Sequence, residues 1–524
     1  MKSFARSLVT VSGLTIVSRV GGFLRDTLTA MFLGAGPVAD AFFVAQRLPN
    51  LFRSLFAEGA FSAAFVPLYT TEQERHGRDA AQAFAGQALA LLLAALIPFS
   101  AVIMWFMPQV MLLLAPGFEN DPQKYNLAVS YSTITFPYLA LISITALQTG
   151  VLNAQGRFGP GAAAPIAFNI VLIIAMFLAR LFAWPVGTAL AWAVTASGVV
   201  QMVWLMVSCH RAGVSLPLVW PHWGEASKRL FRRIGPGALG AGAAQVNLLI
   251  STILASTLPT GAVSYLFYAD RLNQLPLGVV GIAVATTLLP VLSRHIEGGR
   301  EEEAHYYMSR SVEFCLLLGL PATLGLALAA VPIIQTLFEH GVFTHEDSLA
   351  TAATLAAYAL GIPAFLLVKV FAAGFFARHD TSTPVRVAII AMVVNVVASI
   401  LFLGLFKQVG IALANSLAVS VNAVLLYLRL RKKIGPFGDA RLRQSVLRLG
   451  LSAAGMAALI VLLVLVLQPR FQPHHLAANI AWLCLLIGVA LVGYAGLLLA
   501  TRALVWRDVL ALLRRETKIG AIDQ

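Results

Sequence analysis

Apolar runs long enough to cross a lipid bilayer recur along the whole chain, and they decide its fold class. Two examples are LALLLAALIPFSAVIMWFM from Leu89 and MAALIVLLVLVL from Met456. A helix needs about 20 apolar residues to span the hydrocarbon layer. The strands of a membrane β-barrel alternate in polarity, and these runs do not alternate. The pattern predicts an all-α polytopic membrane protein, because a helix satisfies its own backbone hydrogen bonds in lipid.

The composition supports the same class. Hydrophobic residues make up 59% of the 524 residues and charged residues only 11%, whereas soluble domains carry about 25% charged residues. Turn signals and charge clusters divide the chain into about fourteen transmembrane helices. The predicted spans are 7–33, 40–70, 81–112, 124–154, 161–182, 187–209, 232–256, 262–293, 306–337, 348–377, 384–407, 409–430, 446–468 and 476–503.

The distribution of lysine and arginine predicts the topology. Six of the 37 lie deep inside predicted helices, four fall on one side of the membrane, and the remaining 27 lie on the other side. The positive-inside rule makes the richer side cytoplasmic and places both termini there. The basic clusters beside the spans are typical of cytoplasmic anchors on anionic lipid, so no nucleic-acid partner is expected. The four residues on the poorer side are Lys124, Arg180, Lys407 and Arg470.

Three features recur at one offset of 224 residues. Arg47-Leu48 is followed by Arg271-Leu272. A glycine before a loop and a proline after it recur likewise, as Gly150 with Gly374 and Pro160 with Pro384. The shared offset predicts two parallel lobes of six helices each, plus two further helices at the C-terminus, with a substrate site between the lobes. The predicted parts are 1–230, 231–435 and 436–524.

Cations inside membrane helices are the strongest functional signal. A charge at the bilayer centre costs at least about 2.5–3.5 kcal/mol, and the predicted helices contain only four carboxylates to offset six cations. Arginine binds phosphate oxygens with a planar fork and stays charged in a partly dry site. The excess therefore indicates a carrier for a polyanionic, lipid-linked substrate. The cations are Arg19, Arg25, Arg47, Arg53, Arg271 and Lys369, and the carboxylates are Asp26, Asp40, Glu58 and Asp270.

Structural roles are open for several of these residues. Arg47 and Arg271 could form structural pairs, Asp40 could cap a helix start, and Glu58 could simply neutralise Arg53. The cysteines at 209, 315 and 484 lie far apart without a CxxC spacing, so they indicate packing residues rather than a metal site. No P-loop, HExxH or paired-aspartate motif occurs, which argues against an enzyme acting on lipid-linked sugars.

Four stretches of the sequence carry a resemblance to a known family. They are VSRVGGFLRD, ADAFFVAQRLPNLFRSLFAEGAFSAAFVP, YADRLNQLPLGVVGIAVATTLLP and VKVFAAGFFARHDTSTPV. Together they resemble the MurJ (MviN) family of lipid II flippases over nearly the whole chain. The resemblance implies the fold of the multidrug/oligosaccharidyl-lipid/polysaccharide (MOP) exporter superfamily. That fold is a MATE-like V of two six-helix lobes around a cationic cavity, with the last two helices forming a groove that leads into the cavity.

The resemblance also implies a function and a set of residues. The chain would flip the peptidoglycan precursor lipid II from the cytoplasmic to the periplasmic leaflet of the bacterial inner membrane by alternating access. Substrate binding is expected at Arg19, Arg25, Asp26, Arg53 and Arg271, and transport or gating at Asp40, Glu58 and Lys369. Relatives often carry glutamate where this chain has Gln274, so either an acid at that position is not essential here or another group replaces it.

Other functions remain open at this point. A flippase for another polyprenyl-pyrophosphate oligosaccharide, of O-antigen or capsule type, would need the same cations. A multidrug exporter would carry mostly cationic substrates, so an acid-rich cavity would be expected instead. Coupling to membrane potential, Na⁺ or H⁺ is undecided, and no cofactor or metal is expected. We expect a monomer whose partners are lipid II and the surrounding membrane lipids.

Overall fold

The computed structural model describes residues 2–56, 60–217, 219–222, 224, 228–230, 232, 245, 247–435, 438, 440–471 and 475–503. Side chains at 2–9, 52–56, 60, 62–63 and 282 lie outside this description. The described residues contain helices and no strand, which confirms the all-α prediction. In the first part of the chain the helices are α1 (Lys2–Leu33), α2 (Pro37–Phe56), α3 (Ala60–Trp105), α4 (Met107–Leu114), α5 (Pro122–Thr135), α6 (Tyr138–Ala154), α7 (Gly159–Leu181) and α8 (Val186–Arg211).

The second part of the described chain is also helical. They are α9 (Asn247–Ser256), α10 (Ala262–Glu297), α11 (Glu301–Leu328), α12 (Ala330–Phe338), α13 (His345–Ala359), α14 (Ile362–Phe376), α15 (Ser382–Ile434), α16 (Ala440–Leu467) and α17 (Leu476–Ala500). Short 3₁₀ turns lie at Pro116–Asn120 and Gln468–Arg470.

Ten helical segments of the described chain are long and apolar enough to cross a membrane. Two of the long helices break internally, α3 at Gly77 and α15 at Lys407, where φ is 86° and 49°. The break at Lys407 coincides with the predicted boundary between the spans 384–407 and 409–430. Most of the predicted span 232–256 lies outside the described residues, apart from α9. The predicted fold class, an all-α polytopic membrane protein, is therefore confirmed, while the predicted number of fourteen spans is not.

The chain separates into two compact units. Unit 1 contains residues 1–264 together with the short segment 341–343, and unit 2 contains 265–340 and 344–524. The segment 341–343 belongs to unit 1 because Gly341 and Val342 pack on the end of α1, where the Val342 amide donates to the Met31 carbonyl at 3.0 Å. The three-part division at 230 and 435 stays a prediction.

Each unit has its own apolar core. In unit 1, stacked phenylalanines of α3 form its centre, with ring centroids of Phe61 and Phe65 5.2 Å apart and those of Phe65 and Phe84 5.6 Å apart. In unit 2, α11, α14 and α15 enclose buried side chains that include Met308, Leu366 and Leu430. Much of the remaining apolar surface is exposed, as expected of helices whose outer solvent is lipid.

The internal repeat reappears in the order and spacing of the helices. Helix α6 begins at 138 and α14 at 362, which is the offset of 224 found in the sequence. The starts of α5 and α13, at 122 and 345, and of α7 and α15, at 159 and 382, keep the offset to within one residue. The break in α15 at Lys407 falls close to the position equivalent to the loop between α7 and α8. The two sequence halves therefore share one succession of helices.

Two glycines at equivalent positions make equivalent close contacts inside unit 1. A Cβ at Gly117 would lie 2.2 Å from the Ser256 carbonyl oxygen, and a Cβ at Gly341 would lie 2.3 Å from the Met31 carbonyl oxygen. Gly117 also donates its amide to the Ser256 hydroxyl at 3.2 Å. Only glycine permits such close approach of two backbones. The repeat therefore preserves a backbone contact at the end of the first helix of each half.

The repeat-equivalent glycines inside helices generate a test of packing. We expect Gly150→Val and Gly374→Val each to destabilise the protein by about 1–3 kcal/mol, because side chains already lie 3.0 Å from where a Cβ would sit, Phe65 in one case and Leu430 in the other. Thermal unfolding of the purified protein in detergent measures this. Gly404→Val is the matched control, since nothing lies within 4 Å of that site. An equal effect at all three positions would contradict the packing account.

Candidate functional site

A paired arginine and aspartate lie in the C-terminal third of α1. Arg25 donates from Nε to the Asp26 carboxylate at 3.0 Å and from one terminal nitrogen at 2.6 Å. Both side chains are largely withdrawn from solvent, with 12% and 7% of their surfaces exposed. Two neighbouring residues of one helix can form this pair because the guanidinium folds back along the helix onto the adjacent carboxylate. The structure therefore joins two of the predicted binding residues in one ion pair.

Helix α7 holds the other side of the Arg25 guanidinium. Asn169 accepts from Arg25 through its side-chain oxygen at 3.0 Å and donates from its amide nitrogen to the Ser18 carbonyl at 3.0 Å. The Phe168 ring lies beneath the guanidinium, 5.4 Å from ring centre to the guanidinium carbon. A Cβ at Gly21 or Gly22 would lie 3.6 Å from the Asn169 side chain, in ordinary van der Waals contact, so Asn169 packs directly beside this part of α1.

Neither α7 residue was singled out from the sequence. Asn169 stands in the apolar run PIAFNIVLIIAMF, and the criterion that selected the arginines, a polar group deep in an apolar segment, also selects this asparagine. Phe168 carried no such signal, because phenylalanine is an ordinary residue of a membrane helix.

The hydrogen bonds of Arg25 leave part of its donor capacity unused. A guanidinium has five N–H groups, and Asp26 and Asn169 accept three hydrogen bonds from it. Two N–H groups remain for an incoming acceptor. The aspartate, asparagine and ring fix the orientation of the fork, so less side-chain freedom is lost when a ligand binds. The arrangement is suited to a phosphate oxygen pair rather than to a cation or an apolar molecule.

A second charged cluster in unit 1 surrounds Asp40. Its side chain is fully buried and accepts four hydrogen bonds of 2.6–2.9 Å, given by Lys124 Nζ, the amides of Gly261 and Ser264, and the Ser264 hydroxyl. The Ser264 amide lies in the first turn of α10 and the Gly261 amide immediately precedes this helix, whose free N–H groups favour an anion. Lys124 also lies 4.2 Å from the centre of the Phe118 ring. All acceptor positions of this carboxylate are therefore occupied.

This cluster corrects two expectations. Asp40 does not cap its own helix, since α2 begins at Pro37; it accepts from the start of α10 instead. Lys124, placed on one side of the membrane at the start of the predicted span 124–154, is a buried residue of α5 and pairs with Asp40 at 2.8 Å. Because Lys124 neutralises Asp40, this carboxylate cannot offset any of the six helix cations. The excess of positive charge in the membrane helices is therefore larger than the sequence count indicated.

The remaining predicted residues of unit 1 are not brought into either cluster by the described contacts. The Arg19 side chain is exposed and has no ion-pair or hydrogen-bond partner among the residues that the structure describes. Arg53 lies in α2, with its side chain outside the described part. Glu58 lies outside the described residues altogether. The roles assigned to these three residues stay predictions.

Unit 2 contributes two predicted cations, each beside an aromatic ring of its own helix. The Arg271 guanidinium carbon lies 4.7 Å from the centre of the Phe267 ring in α10, and Lys369 Nζ lies 5.1 Å from that of Phe365 in α14. Arg271 is half-buried and Lys369 is exposed. Cation–π contact compensates part of the cost of a charge in an apolar helix.

Gln274 has a defined partner in the same helix. Its amide nitrogen donates to the Asp270 carboxylate at 2.5 Å, one helical turn earlier. A glutamate at position 274 would place a second carboxylate there and would repel the first. In this chain position 274 therefore acts as a hydrogen-bond donor to Asp270 rather than as an acid. Among the described residues no group of three His, Cys, Asp or Glu side chains could hold a metal ion.

The fold and these clusters define the class of protein. The chain has the fold of the MOP exporter superfamily: its structure resembles an inward-facing MATE family multidrug transporter of that superfamily with a TM-score of 0.68 and 14% identity, over 81% of this chain and 98% of the other. It also resembles a solved structure described as lipid II flippase MurJ in an inward closed conformation, with a TM-score of 0.78 and 24% identity, over 96% and 100% of the chains.

Sequence comparison narrows the class to one family. The family model described as lipid II flippase MurJ matches residues 29–482. A probable lipid II flippase MurJ of Rhizobium meliloti is 42% identical over 99% of this chain and 97% of its own length, and a lipid II flippase MurJ of Burkholderia cenocepacia is 37% identical over 82% and 84%. The chain belongs to the MurJ family, which confirms the resemblance seen in its motifs. The family assignment makes it a transporter rather than an enzyme.

The Asp40 cluster generates a prediction about stability. Lys124→Met leaves the buried carboxylate without its countercharge, and we expect a loss of about 3–5 kcal/mol, read as a lower midpoint of thermal unfolding in detergent. Asp40→Asn combined with Lys124→Met should recover part of that loss, because the unpaired charge is gone. If the single and double variants unfold like the parent protein, then Asp40 is hydrated rather than buried and the description of the cluster is wrong.

Proposed function

We propose that this protein flips lipid II from the cytoplasmic to the periplasmic leaflet of the bacterial inner membrane by alternating access, and so supplies cell-wall synthesis. Lipid II carries a disaccharide-pentapeptide on a pyrophosphate that is joined to a polyprenyl tail. The tail dissolves in the bilayer and the headgroup does not, so only the headgroup requires a protected path. Membership of a family whose relatives are described as lipid II flippases supports this substrate.

The observation that carries the proposal is the incompletely bonded guanidinium of Arg25. Its two unused N–H groups offer a fork that matches pyrophosphate oxygens. Asp26 and Asn169 orient the fork without occupying it. In this proposal Arg19, Arg53 and Arg271 supply further positive charge to the same headgroup, while the tail stays in lipid or along α16 and α17. The Asp26 partner also moderates the positive charge, so that the headgroup can leave after transport.

Asp40 takes part in gating in this proposal. Alternating access requires some contacts to separate and to form again in every cycle. The Asp40 carboxylate connects α2, α5 and the start of α10 through four hydrogen bonds. Separation of these elements would expose both Asp40 and Lys124 to water, where each charge is solvated at little cost. The contact is therefore strong in the closed state, and in the open state water solvates the two separated charges. Glu58 and Lys369 keep the transport roles predicted for them.

The energy source and the surroundings complete the proposal. A carrier with a net positive site responds to membrane potential, at about 2.3 kcal/mol per charge per 100 mV, and this could return the empty carrier. Na⁺ or H⁺ coupling is the alternative. The protein is proposed to act as a monomer without a cofactor, with both termini in the cytoplasm. Its partners are lipid II and the membrane lipids.

Substitution of Arg25 tests the central residue. We expect Arg25→Ala to slow lipid II flipping at least about 10-fold, because a charged hydrogen-bond donor to the pyrophosphate is lost. Arg25→Lys should lie between this variant and the parent, since the charge remains and the fork does not. The measurement is the appearance of the headgroup on the outer face of sealed vesicles that contain the purified protein and lipid II.

The control for that experiment removes the same charge elsewhere. Arg180→Ala changes an exposed arginine at the end of α7 and should leave the rate unchanged. A polyprenyl-linked O-antigen precursor in the same vesicles tests the rival substrate: transport equal to that of lipid II would favour the broader flippase. Normal lipid II transport by folded Arg25→Ala protein would refute the assignment of the site.

Asn169 provides a second test, because it holds Arg25 without carrying charge. Asn169→Leu removes the acceptor for Arg25 and the donor to Ser18 in one change. We expect weaker lipid II binding and a several-fold slower rate, with an unfolding midpoint close to that of the parent. Asn169→Asp keeps the acceptor, so orientation of Arg25 should be retained. A rate that falls only in proportion to lost stability would show that Asn169 merely packs α7 on α1.

A further inference from the structure

A basic cavity lies at one end of unit 2. Its lining residues are distant in the sequence from the predicted substrate-binding residues. It has a volume of about 420 Å³ and is formed by the end of α14, the loop that precedes α15, and the end of α15. By the positive-inside rule this end of α15 is cytoplasmic. The lining side chains are Phe375, Asp380, Thr383, Arg429, Lys432 and Lys433.

The single carboxylate of the lining is fully engaged. Asp380 accepts from Lys433 Nζ at 2.8 Å, and from the Thr383 amide and hydroxyl at 3.0 Å each. The Lys433 ammonium group and the Thr383 amide hold the pKa of Asp380 well below its usual range. The carboxylate is therefore ionised at neutral pH and neutralises Lys433.

The other two cations of the lining are uncompensated. Neither Arg429 nor Lys432 has an ion-pair or hydrogen-bond partner within the part of the chain that the structure describes. They stand three residues apart on α15, so their side chains project on the same side of the helix. The cavity therefore carries two free positive charges, and an anionic group is the ligand that this charge favours.

An apolar stripe continues from the cavity along α15. Leu428 lies one helical turn before Lys432 and Val424 one turn before that, with 50% and 55% of their surfaces exposed. Exposed apolar side chains on a membrane-spanning helix face acyl chains. Basic groups above an apolar stripe match the two parts of a phospholipid, a charged phosphate joined to hydrocarbon chains. A soluble phosphate would use the cations and leave the stripe without a role.

We propose that this cavity binds the headgroup of an anionic glycerophospholipid of the cytoplasmic leaflet. The phosphate oxygens contact Arg429 and Lys432, and an acyl chain lies along Leu428 and Val424. Basic pockets between helices on the cytoplasmic side commonly serve this purpose. The Asp380–Lys433 pair also lines the cavity and links the loop before α15 to the end of that helix. The site is distinct from Arg25, which lies in the other unit.

The test measures lipid binding directly, without transport. Purified full-length protein in a neutral detergent is titrated with phosphatidylglycerol or with phosphatidylcholine, and bound lipid is counted by native mass spectrometry. Arg429→Gln combined with Lys432→Gln should raise the Kd for phosphatidylglycerol about 30-fold, as expected for two charges near the headgroup. Phosphatidylcholine binding should be weak in the parent and should change little in the variant.

A matched variant separates the cavity from general surface charge. Arg431→Gln combined with Arg443→Gln removes the same charge from exposed residues of α15 and α16 that do not line the cavity. Phosphatidylglycerol binding should be preserved in this protein. Equal loss in both double variants, no change in the cavity variant, or full displacement of the lipid by millimolar pyrophosphate would overturn the proposal. Unfolding midpoints of both variants confirm that each is folded.

Discussion

Every charge inside a membrane helix must be solvated by the protein, since hydrocarbon offers no alternative. The chain meets this requirement in two ways. Asp40 is surrounded completely: α5 and the start of α10 give it four hydrogen bonds, and one of these comes from the Lys124 ammonium group, which balances its charge. Arg25 is solvated in part: one carboxylate, one amide oxygen and one ring hold it, and two N–H groups stay unused. A complete shell stabilises the closed arrangement of unit 1, whereas an incomplete shell leaves a binding site.

Much of this architecture followed from the sequence because lipid imposes a simple rule on it. Helices are obligatory, their length is set by the bilayer, and their ends are marked by glycine, proline and charge. The boundary predicted near 407 was found as a break at Lys407 for this reason. The number of spans stays a prediction, since α3 and α15 each continue as one helix through an internal break and most of the predicted span 232–256 lies outside the described residues.

The partners of the buried charges were harder to predict. The sequence indicated that Arg25, Asp26 and Asp40 carry a free-energy cost in a membrane helix, because that cost depends only on the residue type and its depth in the bilayer. It did not pair Asp40 with Lys124, 84 residues away, or Arg25 with Asn169, 144 residues away. Such pairs depend on which helix faces pack together, and helices that are apolar all round give little sign of their orientation. Lys124 was counted with the charges on one side of the membrane because it is the first residue of its predicted span.

The internal repeat explains how one scaffold can combine firm packing with an uneven distribution of charge. Positions that let helices approach, such as Gly150 and Gly374, are the same in both halves because packing geometry is the same. Charged positions are free to differ: Leu249 stands where Arg25 would recur, and Ser264 stands where Asp40 would recur. Ser264 donates to Asp40 itself, so two equivalent positions have become donor and acceptor of one hydrogen bond. An aspartate kept at both positions would have placed two carboxylates in contact and excluded this closure. The two halves must therefore differ at these two positions for unit 1 to close around a buried charge.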